Sequence, residues 1–302
     1  MNNAHLFKDI ANAPFVFVAM PFFGVKDIAN KTIAAEERIR TDIEQLRMKH
    51  HIQQLRPEMT ISLNDFDVQY RKNSKVSKGS TVSHALNLAK TQKKEYDPAG
   101  TMPFYFVCCD GKGAIPYSYV GVLAKQLRDG DVNCIFANRG REKGISKPRY
   151  DIERFEMFIA TGGDMDKLAR IDGQCGLWGF NVSECPDITL TSTGYEIELE
   201  FFLKAHRSKC TRIGTVGVEV SPSAETSFIE SYSEGSSHYQ KAYYLMGELG
   251  LSNSDLLSKI EPFEKQTGIK LGREYVEMIR SMSAPQRDLL DKSIKDVTPQ
   301  KD

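Results

Sequence analysis

The stretch PFYFVCC, residues 103–109, runs straight into Asp110-Gly111. A short unbroken apolar run ended by a turn signal reads as a strand buried on both faces. Such a strand needs cover on both sides, which points to helices packed on a largely parallel sheet. Gly111 lets the backbone turn sharply at the strand's end. The feature therefore sets a carboxylate, Asp110, at the edge of a sheet.

The flanking sequence repeats the pattern. FVFVAM (15–20) is a second buried strand, ended by Pro21. About Ile28 to Gln54 carries Ile33, Ile39, Ile43, Leu46 and Ile52 among many charges, which predicts an amphipathic helix. MTISL (59–63) is read as the next strand, ending at Asn64 and Asp65. STVSHALNLAK (80–90) is a helix that Ser80 or Thr81 could cap. Pro116 opens a helix through about Leu127, and VNCIFAN (132–138) is a fourth strand. The first half thus alternates strand and helix, and ligands of such sheets lie beyond the carboxyl ends of the strands. Pro21, Asp65 and Asp110 all sit at such ends.

The second half is less regular. Residues 139–170 are polar and basic, then helical. Residues 172–180 and 213–220 read as strands around a helix at about 194–206. Residues 221–237 are rich in Ser and Glu and read as a linker. From 238 to about 294 the pattern is helical, with a last short helix in APQRDLLDKSIKD and a frayed end. The expected division is 1–237 as an α/β domain and 238–302 as a helical C-terminal extension. Within the first, 15–138 forms one half of the site and 139–220 the other.

Composition narrows the classes. In 302 residues, 40% are hydrophobic and 26% charged, enough for a sizeable core. Lys plus Arg and Asp plus Glu are both 40, which argues against a dedicated nucleic-acid scaffold. The six cysteines form no CxxC pair, so a zinc framework is not expected, and reduced thiols are. No signal peptide is read at the N-terminus, and no run approaches the roughly 18 apolar residues of a membrane span. A cytoplasmic protein is the expectation.

The chemistry centres on Asp110. A hard divalent cation takes oxygen ligands and keeps waters and phosphate oxygens. One strand-end aspartate can hold Mg²⁺ or Mn²⁺ against a diphosphate; equally, it can cap the Pro116 helix or begin a turn. The surrounding blocks bear on that choice. FVFVAMPFFG, ISLNDFD, KVSKGSTVSHALNLAK, FYFVCCDGKGAIPYSYVGVLAKQL, VNCIFANRG, RIDGQCGLWGF and TGYEIELEFFLKAHRSKCTRIGTVGVEV occur in this order over about two-thirds of the chain. Their order and spacing resemble family-two glycosyltransferases with the GT-A fold.

The resemblance implies a single Rossmann-like α/β domain with a mixed, mostly parallel sheet. It also implies roles. Asn64 and Asp65 would contact the donor's nucleoside, and Lys78 the base or phosphates. Asp110 would bind metal and diphosphate, and Arg139 would steady the diphosphate. Asp172 would be the general base. Gln174, Trp178 and Glu200 would meet the acceptor, Glu198 and Glu200 match the family's acidic pair on the later helix only approximately, and His238 would be a late metal ligand. Each has an ordinary structural alternative: a turn aspartate, a solvated lysine, a core tryptophan, an exposed helix face. The pattern departs at Cys108, where the family's Asp-x-Asp has its first acid, and at Gly24-Val25.

The expected function is inverting, metal-dependent transfer of a sugar from a nucleotide diphosphate sugar. The acceptor would be a soluble hydroxyl on a glycan, a protein, or a hydroxymethylated base in DNA. The helical tail would cover the acceptor side or form a homo-oligomer contact. A catalytically silent nucleotide-sugar-binding protein is the alternative, motivated by Cys108. A sugar-1-phosphate nucleotidyltransferase ranks below both, because MPFFGVK supplies one Gly and one Lys where a Gly-rich loop is needed.

Overall fold

The structure is a computed structural model, and it describes residues 14–21, 28–55, 78–110, 115–140, 147–208, 212–220 and 237–282. Its strands are β1 (Phe15–Pro21), β2 (Lys49–Leu55), β3 (Phe104–Cys109), β4 (Cys134–Asn138), β5 (Leu177–Asn181) and β6 (Ile213–Gly217). They form one sheet in the order β2-β1-β3-β5-β4-β6. β5 runs antiparallel to both its neighbours, and the other pairs are parallel. The sheet is therefore mixed and mostly parallel, as expected.

Alternation along β1 and β3 builds two cores. Phe15, Phe17 and Ala19 join Phe104, Phe106 and Cys108 on one face. Val16, Val18 and Met20 join Tyr105, Val107 and Cys109 on the other. The second face is covered by α1 (Ile28–Gln45) and α3 (Ser118–Asp129). The first is covered by α2 (Lys78–Tyr96), α4 (Lys147–Ala160) and α6 (Ile197–Arg207), with short α5 (Met165–Arg170) beside α4. The C-terminal helices are α7 (Ser237–Leu249), α8 (Asn253–Ser258), α9 (Ile260–Thr267) and α10 (Arg273–Ser281). Their Leu245, Phe263 and Tyr275 enter the core of that first face. Phe263 meets Phe155 and Phe158 of α4 edge-on, at ring centroids of 5.3 and 5.4 Å.

The chain goes from β1 to β2 on one side and returns to β3 on the other. That reversal makes a crevice between the carboxyl ends of β1 and β3, the usual place for a ligand in such a sheet. Register pairs Ala19 with Cys108, so β1 and β3 end side by side.

One element departs from expectation. The helix read as Ile28 to Gln54 stops at Gln45, and KHHIQQL becomes β2. Arg47 adopts a left-handed backbone, φ 55°, which ends the helix. Lys49–Leu55 then pair one-for-one with Phe15–Pro21. Ladder hydrogen bonds to a buried strand outweigh the weak β propensity of the polar side chains. The strand expected at 59–63 lies outside the described residues, as do Asn64, Asp65, most of the linker and the last short helix. The expectation of uniformly reduced thiols also fails. Cys108, Cys109, Cys134 and Cys175 are free and buried, but Cys185 is disulfide-bonded to a partner outside the described residues.

Candidate functional site

Asp110 follows β3 directly, and continuing the alternation directs it to the face of Cys108, where α2 and α6 pack. There the Lys78 ammonium, at the start of α2, lies 2.7 Å from Asp110 Oδ1 and also bonds Glu198 Oε1 on α6. The side chains of Lys78 and Glu198 are 9% and 6% exposed, whereas that of Asp110 is 38% exposed. The cluster is thus open to solvent only on the Asp110 side. Burial disfavours the Lys78 charge, but the Asp110 and Glu198 carboxylates outweigh it and hold the ammonium above its ordinary range.

Two glycines permit this geometry. A Cβ on Gly79 would stand 2.5 Å from the Ser192 carbonyl oxygen, so only glycine lets α2 begin against the 192–194 loop. A Cβ on Gly176 would stand 2.2 Å from Asp110 Oδ2. The Asp110 amide donates to the Gly176 carbonyl at 3.0 Å, which fixes the turn after β3.

This donor set limits what metal the site can take. Burial pushes the Cys108 thiol well above its ordinary range, so it is a neutral thiol and not a substitute for a carboxylate. Among the described residues no group of three His, Cys, Asp or Glu side chains could hold a metal ion. What remains is the partly exposed Asp110 carboxylate in the space left by Gly176. That fits Mn²⁺ or Mg²⁺ bound through one protein carboxylate, with water and diphosphate oxygens completing the shell.

The other expected residues form a second, separate cluster. Asp172 is held in an ion pair with Arg139. Its Oδ2 accepts from Arg139 Nε at 2.6 Å and its Oδ1 from Arg139 Nη2 at 2.9 Å and the Gln174 amide at 3.2 Å. A bidentate arginine pair occupies both oxygens that would take a proton. Arg139 is likewise committed: its Nη2 also donates to Glu153 Oε2 at 2.9 Å, so these donors are not available to a diphosphate. With Tyr150, Arg154 and Met157 the pair borders a small cleft of about 120 Å³ beyond β4.

Gln174 is buried, donating to Glu156 Oε2 at 2.8 Å and accepting from Lys241 on α7, so it ties α4 to α7 and does not meet an acceptor. Trp178 lies in the core of β5, 1% exposed, stacked on Phe201 at 4.1 Å, which removes it as a sugar platform. Glu200 is wholly buried and accepts from Thr191 and Ser192 amides at 2.9 and 2.8 Å, so it shapes the 189–194 loop. His238 is buried 3.1 Å from Glu156 Oε1, beside Tyr275, and among the described residues it joins no group of side chains that could hold a metal ion.

No protein-family model and no curated protein matches the sequence. Among solved structures, the chain is similar to glucosyl-3-phosphoglycerate synthase from Mycobacterium tuberculosis, crystallised with Mn²⁺, UDP-glucose and phosphoglyceric acid. Identity is 12%, the TM-score 0.49, and coverage 83% of this chain and 85% of that one. It is also similar to mannosyl-3-phosphoglycerate synthase from Rubrobacter xylanophilus, at 12% identity, TM-score 0.49 and coverage of 82% and 77%. Neither figure is high enough to carry a residue's role from those enzymes to this chain.

Two functional candidates lie on α6 and its lead-in, where the sequence pointed to Glu198 and Glu200. One is Glu198, the second carboxylate on Lys78. The other is Glu196, whose Oε2 is buried without a hydrogen-bond partner. Burial, then the neighbouring Glu200 and Glu198, hold its carboxyl above the usual range. The signal available in the sequence was the run Glu196-Ile197-Glu198-Leu199-Glu200 itself, three acids set among apolar residues.

Proposed function

We propose that the chain is an inverting glycosyltransferase that uses a nucleotide diphosphate sugar, with its donor site at Asp110, Lys78 and Glu198. The observation that carries this reading is the buried lysine held between two carboxylates at the switch point of the sheet. Lys78 offsets one of the two carboxylate charges, so a diphosphate in that crevice meets less repulsion, and in a region of low dielectric that difference acts strongly. A Mn²⁺ or Mg²⁺ ion at Asp110 would supply Lewis-acid neutralisation of the departing diphosphate.

The base in this reading is Glu196 in place of Asp172. A carboxyl with a raised pKa is better matched to taking a proton near neutrality than one locked in an arginine pair. No helix among the described residues is long and apolar enough to cross a membrane, and a soluble acceptor remains the favoured class. A second reading, a silent nucleotide-sugar-binding protein, is favoured by the neutral Cys108 in place of an acid.

Nucleotide release from UDP- and GDP-sugars, with transfer to water or to added hydroxyl acceptors, separates the two. Glu196→Gln should lower turnover by about 10²–10⁴-fold with donor affinity kept, the range for a lost general base. Asp172→Asn should leave turnover far closer to the parent. Unchanged turnover in Glu196→Gln removes that residue from the mechanism. Donor binding without any turnover favours the silent reading.

A further inference from the structure

The Lys78 cluster holds one more consequence, which rests on the donor-site reading above. Two carboxylates, Asp110 and Glu198, stand within bonding distance of a single ammonium. One follows the end of a strand and the other comes from a helix. Two carboxylates and one ammonium leave one net negative charge. Cation affinity at such sites follows the number of protein carboxylates that face the ion.

We propose that Lys78 is a resident cation of the site, occupying the position from which Asp110 and Glu198 would together bind a divalent metal ion. In the native chain the lysine satisfies both carboxylates. Metal binding then depends on the oxygens a diphosphate brings, and the protein alone holds Mn²⁺ weakly. Lys78 acts through Asp110 and Glu198, and so is a positioning residue that sets when the metal enters.

The test is Mn²⁺ binding to the full chain without nucleotide, read by loss of the free Mn²⁺ signal in electron paramagnetic resonance. Lys78→Met keeps the unbranched stem and removes the charge. It should bind Mn²⁺ at least about tenfold more tightly than the native chain, since two carboxylates replace one. It should also gain more thermal stability from added Mn²⁺, because an ion that binds only the folded state stabilises it. Lys78→Arg should behave like the native chain. Adding Glu198→Gln to Lys78→Met should abolish the gain.

Mn²⁺ affinity in Lys78→Met equal to or below the native value overturns the proposal. So does a Lys78→Met chain that stays unfolded in Mn²⁺ while Lys78→Arg folds, because the ion should satisfy both carboxylates. No sugar nucleotide enters this titration. A failure of the transferase reading would appear in the donor assays and leave this result standing.

Discussion

Glu153 gives the sharpest stability test. It lies in α4, 4% exposed, and accepts from Arg139 Nη2 at 2.9 Å and Arg149 Nε at 2.8 Å, with Lys241 Nζ at 3.8 Å. Burial opposes its charge, yet Arg149, Arg139 and Lys241 together hold the carboxyl well below the usual range. Glu153→Gln keeps the shape and removes the charge at the meeting point of these cations. Breaking a buried pair from one side costs about 3–5 kcal/mol. Arg139 retains Asp172, which argues for the lower end, about 3 kcal/mol. With an unfolding entropy of about 2.1 cal/mol/K per residue, a chain of this length has about 0.6 kcal/mol/K, so Tm should fall by about 5 °C.

The pH dependence has a definite sign. A carboxyl with a depressed folded pKa contributes stability above its unfolded value, about 4.3, and loses it as pH falls towards the folded one. The native chain should therefore lose stability below about pH 5, and Glu153→Gln should lose less over the same window. Thermal denaturation followed by circular dichroism between pH 7 and pH 3.5 measures both. A variant with native Tm at pH 7 and an unchanged pH profile would refute the account of this network.

Two further outcomes are expected. Gly176→Ala places a methyl where Asp110 Oδ2 now lies, so the carboxylate must move. Overpacking of this kind costs about 1–3 kcal/mol, and Mn²⁺ binding in the presence of a nucleoside diphosphate should weaken. Trp178, the only tryptophan, should fluoresce from an apolar environment and resist acrylamide quenching. Trp178→Ala should cost about 3–5 kcal/mol in urea denaturation; a loss under 1 kcal/mol, or ready quenching, would contradict its place in the core.

What the sequence made legible follows from burial. β1, β3 and β4 announce themselves because strands covered on both faces must be apolar throughout. β2 stayed hidden because its residues, KHHIQQL, carry polar side chains, and its strand character comes from pairing with β1. Asp110 and Lys78 each follow a local signal, a strand end and a Lys-Gly before a helix, and the fold brings them within 2.7 Å of each other.

The sequence offered both Glu198 and Glu200. Two residues apart on a helix, their side chains point about 200° apart, and only packing decides which one faces Lys78. Trp178 shares its strand face with Phe180, a period-two pattern that already favoured the core. Gln174, Glu156, Lys241 and His238 come from separate elements and meet only in the folded chain, so no local pattern reports their network.

The central claim is that the crevice at Asp110 and Lys78 binds the diphosphate of a sugar nucleotide. Calorimetric titration of the native chain and Asp110→Asn with UDP- and GDP-sugars in Mn²⁺ tests it most directly. At least one sugar nucleotide should bind the native chain and bind the variant about tenfold or more weakly, the scale of one lost charged contact. Binding of none, or equal binding to both proteins, would contradict the assignment.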